Sequence, residues 1–473
     1  MKTKLLTYKI FKKKDLIWFS RISGDFNPIH IDEEYSRRIM KGSLVVPGMY
    51  LFLWSLNFLV KKVKSSISYT KINFHNTVNI NEKCYLFHQQ INNFHVLSLK
   101  TNNSTVATFN IKLSDNHIRN VATNTYPPKT KIKKFRFNEI KNLSGKLKTY
   151  FAADNSKNFY YLKKNKLKNL LSNFLAFSRL VGMTVPGLNS LFTGLELNIS
   201  NIYNKKNISW NVSRHTNIKS LIYINIKGNG ICGKIFTLFR PELVDQPHIN
   251  EIYRRFKQRK VKNNVSLIIG GSRGLGEFTA KLLASNASTV IISYLSGEKD
   301  ALRVKKEIVS FGGKAYCLKI DMLDLYKSFV KLKKLKLNIS QIFYYASPMI
   351  RDSRIKKIDQ KLLKKYDAIY VKPLKKLVEI MIQNFSKKFL IFYPSSIYVE
   401  KAPLKLREYS MSKIKAEKEI KNINTYFKKK YIYFSRLPIL LTDQNPSFSI
   451  NENRKNIKFL VKEILKFSKK EIK

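Results

Sequence analysis

A glycine-rich loop between a strand-like and a helix-like segment constrains the fold of this 473-residue chain more than any other feature. The apolar stretch VSLII runs directly into GGSRGLGE, residues 270–277, and the helix-like stretch FTAKLLASN follows. Glycine lets a backbone turn tightly and approach a pyrophosphate, and the first N–H groups of the next helix face the anion. The loop therefore predicts a nucleotide site.

The segments around this loop alternate between strand-like and helix-like character. The strand-like stretches are VSLIIGG, TVIISY, AYCLKI, QIFYYAS, FLIFYPSS and IYFSRLP, with helical segments between them. Such alternation is typical of a parallel, doubly wound sheet. We therefore expect an α/β Rossmann domain over residues 262–473.

Side chains suited to proton transfer follow in the stretch YPSSIYVEKAPLKLREYSMSK. Tyr409 and Lys413 are four residues apart, which places them on one face of a helix. Because a nearby ammonium stabilises a phenolate, we expect Lys413 to lower the pKa of Tyr409. Ser396 lies upstream at a strand end and is suited to bond a substrate oxygen, with Ser395 as the neighbouring alternative.

The loop spacing G-x-x-x-G-x-G and the Ser396/Tyr409/Lys413 set together resemble the short-chain dehydrogenase/reductase family. The resemblance implies that Ser396 orients a carbonyl, Tyr409 donates the proton, and Lys413 tunes the tyrosine and holds the cofactor ribose. It also implies a set of cofactor contacts. These are Gly270, Ser272, Arg273, Gly274, Leu275, Gly276, Asp321, Ala346 and Lys413.

The expected cofactor is NADP (NADPH). An NAD site places a carboxylate at the end of the second strand, which here ends in Ser293 and Tyr294. Arg273 in the glycine loop instead favours a 2′-phosphate. Two positions depart from the family pattern: Ile269 replaces the usual threonine, and Tyr370 stands where an asparagine often supports a proton relay.

A second group of polar side chains occupies residues 23–35, SGDFNPIHIDEEY. Asp25 and His30 are suited to activate one water between them as base and acid. A helix predicted to begin near Pro47 offers the N–H of Gly48 to a thioester oxygen that gains negative charge. Alternatively, Asp25 and His30 only satisfy a turn, since Asp–x–Asn–Pro is a good turn former.

The loop resembles that of the MaoC-like, (R)-specific enoyl hydratase family of hotdog proteins. Asp25, Asn27, Pro28 and His30 stand at the family's spacing, followed by Asp32. The resemblance implies an enoyl thioester as substrate, with the acyl group carried on coenzyme A or on an acyl carrier protein.

This chain departs from the hydratase pattern near the central helix. Pro47 replaces the histidine that commonly precedes the glycine, although Gly48 itself remains. Ser55 lies near the place of a serine that contributes in the family, but it is offset.

Residues 1–125 and 130–245 share one plan, in which a helix is followed by several strand-like stretches. We therefore expect an α+β double hotdog at the N-terminus. The second, degenerate hotdog lacks an equivalent of the Asp25–His30 loop. It resembles the inactive half of double-hotdog hydratases, and two roles stay open: shaping an acyl tunnel or packing alone.

The formal charge of +58 comes from 89 Lys and Arg against 31 Asp and Glu. Lysine is spread from Lys2 to Lys473, which favours a compositional bias over a dedicated nucleic-acid surface. We therefore expect no specific nucleic-acid partner, although a basic surface attracts acidic carriers. A basic nucleic-acid-binding protein remains the alternative class.

Three scattered cysteines, Cys84, Cys232 and Cys317, predict neither a disulfide framework nor a metal site. The N-terminal stretch lacks an apolar signal core, so we expect a cytoplasmic protein. The apolar run 44–60 is short for a membrane span and contains Pro47 and Gly48, which favours a buried helix.

These observations predict a bifunctional acyl-thioester enzyme. The C-terminal part would reduce a 3-oxoacyl thioester with NADPH, and the N-terminal part would dehydrate the (R)-3-hydroxyacyl product or hydrate the enoyl form. The alternative is an NADP-dependent reductase whose hotdog half only binds acyl chains or forms a dimer. We expect a homo-oligomer in either case.

Overall fold

The computed structural model describes residues 3–39, 42–63, 65–101, 104–114, 125–151, 158–164, 167–200, 207–216, 220–256, 264–350, 358–443 and 450–470. The chain divides into two compact units, Met1–Glu242 and Leu243–Lys473. Among the described residues, no helix combines the length and the apolar character needed to cross a membrane.

Unit 1 contains one antiparallel sheet of ten strands, in the order β1-β3-β4-β5-β2-β7-β10-β9-β8-β6. The strands are β1 Lys4–Ile10, β2 Ser66–Phe74, β3 Lys83–Ile91, β4 Phe94–Thr101, β5 Ser104–Ser114, β6 Ser144–Lys148, β7 Ser190–Ile199, β8 Asn207–Thr216, β9 Leu221–Gly228 and β10 Ile231–Phe239.

The strand order of unit 1 repeats itself. Strands β1–β5 follow the order 1-3-4-5-2, and β6–β10 follow the same order from the opposite edge. We call residues 3–114 the first half and residues 125–242 the second half. The two halves join where β2 pairs with β7, from Tyr69 opposite Asn198 to Asn73 opposite Gly194.

The helices of unit 1 cover one face of this sheet. They are α1 Lys13–Ser23, α2 Pro28–Ile31, α3 Glu33–Arg38, α4 Gly48–Lys62, α5 Tyr160–Lys164 and α6 Lys168–Arg179, followed by a short π-helical segment, Leu180–Thr184. Helix α4 is apolar on nearly every side because it lies inside the core, where Phe52 contacts Phe109 of the sheet and Phe174 of α6. The apolar run 44–60 is therefore a buried helix and its entry loop.

Unit 2 contains a parallel sheet of six strands, in the order β13-β12-β11-β14-β15-β16. The strands are β11 Val265–Ile269, β12 Thr289–Tyr294, β13 Ala315–Lys319, β14 Gln341–Tyr344, β15 Leu390–Ser396 and β16 Ile432–Leu437. The predicted parallel, Rossmann-like sheet is confirmed.

Helices connect the strands of unit 2 and cover both faces of its sheet. They are α7 Ile249–Phe256, α8 Gly274–Ala284, α9 Glu298–Ser310, α10 Leu325–Lys333, α11 Gln360–Tyr370, α12 Pro373–Asn384, α13 Arg407–Tyr426 and α14 Ile450–Ser468. Successive strand residues alternate between two separate apolar cores, as the two-residue period requires: Ile268 packs with α8 and α14, whereas Leu267 and Ile269 pack with α10 and α12.

Candidate active sites

The loop after α1 brings Asp25 and His30 together. Helix α1 ends at Gly24, whose φ of 74° is left-handed and whose N–H bonds the Ser20 carbonyl at 2.9 Å. Asn27 then caps α2, since its side chain accepts the N–H of Ile29 at 3.2 Å. As a result, His30 Nε2 lies 3.9 Å from Asp25 Oδ2, a separation that one water bonded to both groups would bridge.

The protonation state of His30 follows from its surroundings. Its Nδ1 lies 2.7 Å from the Val45 carbonyl oxygen, which can only accept a hydrogen bond and so places the N–H on Nδ1. Burial lowers the pKa of His30, and the Asp25 carboxylate only partly offsets this effect. The imidazole is therefore neutral near pH 7, with the Nε2 lone pair facing Asp25.

The second half also contacts Asp25. Ser178 Oγ donates a hydrogen bond to Asp25 Oδ2 at 2.7 Å, and the Asp25 Oδ1 accepts the N–H of Asn27 at 3.2 Å. The π-helical segment passes so close that a Cβ at Gly182 would overlap Asp25 Oδ1. The stretch SRLVGMTVPGLNSLF contains both Ser178 and Gly182 and resembles the end of the central helix and the following strand of a hotdog. The sequence did not assign either residue to the site, because they lie more than 150 positions from Asp25.

Asp25 and His30 line a small cavity that opens to solvent. Both halves contribute to its wall, which includes Gly48 and Phe74 from the first half and Val181 and Phe192 from the second. The Phe74 and Phe192 rings meet edge to face at 5.9 Å. The cavity is thus an apolar cleft with an acid–base pair at one side.

The start of α4 faces this cavity. Gly48 is its first helical residue, and a Cβ there would lie 2.8 Å from the Phe74 ring. Pro47 is the N-cap, so α4 begins directly after it, close to the predicted start. Ser55 is not placed with the pair, because its hydroxyl bonds the Leu51 carbonyl inside the helix at 2.8 Å. The Asp32 side chain caps the start of α3, where it accepts the N–H groups of Glu34 and Tyr35.

In unit 2 the glycine loop turns tightly, as the sequence predicted, and two of its glycines lie against neighbouring backbone. Gly270 has a φ of 79°, and a Cβ there would lie 2.9 Å from the Tyr345 backbone. A Cβ at Gly276 would overlap the Gly270 carbonyl, whereas a Cβ at Gly274, which has a φ of 58°, would make only ordinary contact with the Thr442 side chain. Arg273 is the N-cap of α8. The loop therefore fits a cofactor pyrophosphate at the start of α8.

The end of β12 differs from the expectation at one point. Ser293 is buried and its Oγ accepts the Gly270 N–H at 3.1 Å, so it holds the glycine loop. The Tyr294 hydroxyl donates to Glu298 at 2.9 Å. A carboxylate therefore does lie near this strand end, because the start of α9 brings it there, and the strand sequence alone does not reveal it.

The remaining expected cofactor positions surround the same strand ends. Ser272 is buried in the glycine loop, and Leu275 follows in the first turn of α8. Asp321 caps its own turn, since its Oδ1 accepts the Leu323 N–H at 2.9 Å. Ala346 is the second residue after the end of β14 and lies beside Gly270.

Ser396, Tyr409 and Lys413 come together at the carboxyl end of the sheet. Ser396 is the last residue of β15, and its side chain hydrogen-bonds Tyr409. Ser395 points elsewhere, because its hydroxyl donates to Glu417. The Lys413 ammonium lies 5.9 Å from the centre of the Tyr409 ring.

The expected lowering of the Tyr409 pKa is wrong for this structure. Burial raises the pKa of Tyr409 to about 12, and the hydrogen bond from Ser396 offsets only part of that rise. Lys413 does not compensate, because burial lowers its own pKa to about 7. Its Nζ bonds the Pro394 carbonyl at 2.7 Å and the Tyr393 hydroxyl at 3.3 Å.

Tyr370, at the position of the expected relay asparagine, forms a wall of this cluster. Its ring lies 4.2 Å below the Lys413 ammonium and meets the Tyr409 ring edge-on at 5.8 Å. The Tyr370 hydroxyl bonds Ser347 Oγ at 2.6 Å. The side chain therefore fills the space beside Lys413 and directs its own hydroxyl towards Ser347.

A buried carboxylate that the sequence analysis missed lies one helical turn beyond Lys413. Burial acts to raise the pKa of Glu417, but hydrogen bonds from Arg436 and Ser395 outweigh it, and the pKa is lowered. The Arg436 guanidinium donates to both carboxylate oxygens, at 3.0 and 2.7 Å. Its four-residue spacing from Lys413 was a signal that could have revealed Glu417.

Comparison with known proteins identifies the class of the first half. Residues 2–107 match the family profile described as MaoC like domain. A MaoC-like domain therefore lies at the N-terminus, and it implies a hotdog fold for this part of the chain.

Oxidoreductases share shorter stretches with the chain. A 3-oxoacyl-[acyl-carrier-protein] reductase of Aquifex aeolicus is 42% identical over 66 residues, 14% of this chain and 26% of that protein. L-rhamnose 1-dehydrogenase (NADP(+)) of Thermoplasma acidophilum is 37% identical over 67 residues, again 14% and 26%. The chain spans about a quarter of the length of these curated relatives. The predicted resemblance to short-chain oxidoreductases, fused to a MaoC-like domain, is confirmed.

Solved structures also resemble part of the chain. The FolM alternative dihydrofolate reductase 1 from Brucella canis, complexed with NADP, has a TM-score of 0.38 at 18% identity and covers 45% of this chain and 90% of its own. A dehydrogenase/reductase from Sinorhizobium meliloti has a TM-score of 0.39 at 16% identity, with 44% and 89% covered.

Proposed function

We propose that the chain is a bifunctional acyl-thioester enzyme. Unit 1 would be a double hotdog that interconverts (R)-3-hydroxyacyl and enoyl thioesters, and unit 2 would reduce 3-oxoacyl thioesters with NADPH. The observation that carries the proposal is the cavity in which Asp25, His30 and the start of α4 face one another. The recognised MaoC-like domain supports the same reading.

The hydratase step follows from the geometry of the cavity. In the hydration direction, a water between His30 Nε2 and Asp25 Oδ2 gives a proton to one of these two acceptors as its oxygen adds to the β-carbon, and the same group then passes that proton to the α-carbon. The Gly48 N–H, at the positive end of α4, stabilises the thioester oxygen as it gains negative charge. Dehydration uses the same groups in reverse.

The reductase step would use the cluster at the end of β15. NADPH, when bound along the glycine loop, supplies the hydride. Ser396 orients the substrate carbonyl, and Tyr409 gives its phenolic proton to the oxygen. Lys413 lies beneath Tyr409 and, in its protonated form, lowers the cost of the phenolate that remains. Arg273 at the glycine loop would hold the 2′-phosphate.

Both proposed activities would act on an acyl group attached to the same kind of carrier. Coenzyme A and acyl carrier proteins are both acidic, and the chain has a formal charge of +58. Joining both activities in one chain raises the effective concentration of the 3-hydroxyacyl intermediate. A cavity with a formed acid–base pair also favours this proposal over an N-terminal half that only binds acyl chains or dimerises.

Two variants test the two activities separately. Asp25→Asn should lower the hydration of crotonyl-CoA about a thousandfold and leave NADPH oxidation with 3-oxoacyl thioesters intact. Tyr409→Phe should do the opposite. Product mass, measured for loss of water, shows whether one full-length chain performs both steps in sequence.

Matched controls come from the same elements. Asp32→Asn removes a nearby carboxylate that only caps α3, and Tyr426→Phe changes an exposed tyrosine at the far end of α13. Both controls should keep both activities. The proposal fails if Asp25→Asn and Tyr409→Phe leave both rates at the level of these controls. NADPH oxidation without any hydration would instead support the non-catalytic hotdog half.

A further inference from the structure

The hydrogen bond between Ser178 and Asp25 connects the two halves of unit 1 at the cavity. Ser178 belongs to α6 of the second half, and its Oγ lies 2.7 Å from Asp25 Oδ2. Both side chains are buried, with exposed fractions of 4% and 2%. The same Oδ2 faces His30 Nε2 at 3.9 Å. Ser178 therefore holds the carboxylate oxygen that would contact the reacting water.

Other buried serines of the central helices behave differently. Ser172, also in α6, donates to the Asn169 carbonyl at 2.8 Å, and Ser55 in α4 donates to the Leu51 carbonyl at 2.8 Å. A serine inside a helix ordinarily makes such a backbone bond three or four residues back. Ser178 instead directs its hydroxyl at a carboxylate, which is a stronger, charge-assisted contact.

The backbone that follows Ser178 is shaped around the same carboxylate. Helix α6 widens into the π-helical segment Leu180–Thr184, and such widenings are frequent at functional sites. The segment passes Asp25 at Gly182, where any side chain would overlap Oδ1. It also anchors the loop, since Asn27 Nδ2 donates to the carbonyls of Gly182 and Gly187 at 3.0 and 3.2 Å.

We propose that Ser178 is a positioning residue for the hydratase site, supplied by the half that carries no acid–base pair of its own. Its hydroxyl fixes the rotamer of Asp25, so that one lone pair of Oδ2 is occupied and the other faces His30. The second half therefore completes the active site and is more than a packing partner. This inference rests on the proposed hydratase activity of the first half.

Substitutions of Ser178 in the full-length chain test this role. Ser178→Ala should lower kcat for crotonyl-CoA hydration about tenfold to a hundredfold with little change in KM, because a misplaced catalytic group slows the reaction more than it weakens binding. Ser178→Thr keeps the hydroxyl and should recover most of the rate. Ser172→Ala, a buried serine of the same helix outside the cavity lining, should match the unmodified protein.

The outcomes separate this inference from the proposed function. Hydration by Ser178→Ala at the rate of Ser172→Ala, with Asp25→Asn inactive, would overturn the positioning role and leave the proposed function intact. Failure of the unmodified protein to hydrate any enoyl thioester would overturn the proposed function.

A measurement without substrate then still tests the placement of Asp25. The carboxylate acts on the titration of His30, which NMR follows through the imidazole resonances. Ser178→Ala should move the His30 midpoint measurably, and Ser172→Ala should leave it in place. An unchanged midpoint in Ser178→Ala would show that the serine does not hold the carboxylate.

Discussion

The Asp25–His30 cavity and the Tyr409–Lys413 cluster differ in how each treats its charged group. Hydrogen-bond donors from both halves converge on Asp25, and the neutral His30 faces it across a gap that fits a water. Lys413 instead lies between the rings of Tyr370 and Tyr393, and among the described residues no carboxylate lies within ion-pair distance of its ammonium. The first site supplies hydrogen-bond donors to its carboxylate, whereas the second surrounds its ammonium with aromatic rings, and burial there lowers the pKa of Lys413.

The largest expected effect concerns the oxyanion donor of the hydratase site. Gly48→Pro removes the N–H at the first helical position, where proline is otherwise compatible with the helix. Gly48→Ala is its control, because both variants place a Cβ against the Phe74 ring. Hydration by Gly48→Pro should be about a hundredfold to a thousandfold slower than by Gly48→Ala. Equal rates in the two variants would show that this N–H does not contact the substrate.

The second effect concerns the stability cost of Lys413. The folded pKa of about 7 lies below the ordinary value of 10.5, so the unfolded chain takes up the proton first as the pH falls. Protonation of Lys413 therefore lowers the free energy of unfolding of the folded chain. This loss of stability reaches its full size below pH 7 and disappears above pH 10.5. The lowered pKa of Lys413 corresponds to a stability cost of about 5 kcal/mol. A substitution that removes the ammonium would recover this cost but would also lose the hydrogen bonds to Pro394 and Tyr393, which are worth about 3 kcal/mol together.

Lys413→Met should therefore stabilise unit 2 by about 2 kcal/mol at pH 7, which raises its Tm by roughly 5 °C. Thermal unfolding followed at pH 6, 7 and 10 measures this gain. The gain should shrink as the pH rises and become a loss by pH 10, because the cost of the buried ammonium has nearly gone there while the two hydrogen bonds are still missing. The same variant should lose NADPH-dependent reduction. A lower Tm at pH 7 would mean that the buried ammonium is well compensated.

The third effect concerns the ring that fills the relay position. Tyr370→Asn removes the wall beside Lys413 and admits water, which reduces the burial that opposes the charged ammonium. Reduction of a 3-oxoacyl thioester by NADPH should become about tenfold faster. Tyr366→Asn removes the neighbouring stacked ring, which also meets the Tyr409 ring edge-on at 6.1 Å, and so controls for the loss of a ring beside Tyr409. A slower reaction in Tyr370→Asn would show that the tyrosine itself takes part.

The smallest effect is the pH dependence of hydration. Burial lowers the pKa of His30 below its ordinary value of 6.5, so the neutral, proton-accepting form persists at mildly acidic pH. The acid limb of kcat/KM for hydration should therefore lie below pH 6.5. A limb above pH 6.5 would place the controlling proton on another group.

Local patterns predicted most of the secondary structure of both units. The strand-like stretches of unit 2 form its parallel sheet because each is a compact apolar run bounded by turn residues. Strands β1 and β6 were missed, since they lie at the sheet edges and show little buried alternation. Edge strands bury little apolar surface, so their sequences are weakly constrained.

The candidate sites show the corresponding limit for function. Asp25, His30, Tyr409 and Lys413 are close in sequence to their partners, and their spacing was enough to predict that these side chains lie together. Ser178 acts across the fold, and no local spacing reveals such a contact. The pKa of Tyr409 was mispredicted for a related reason, because burial by distant residues decides its direction.

The pairing of β2 with β7 has a consequence for how unit 1 responds to damage. Because the two halves share one continuous sheet, neither has a free strand edge at the junction. Cleavage between the halves followed by their separation would uncover the unpaired backbone groups of β2 and β7 over Tyr69–Asn73 and Gly194–Asn198, and such edges recruit other strands. We therefore expect the halves to depend on each other for solubility, and unit 1 to lose its structure in a single cooperative transition.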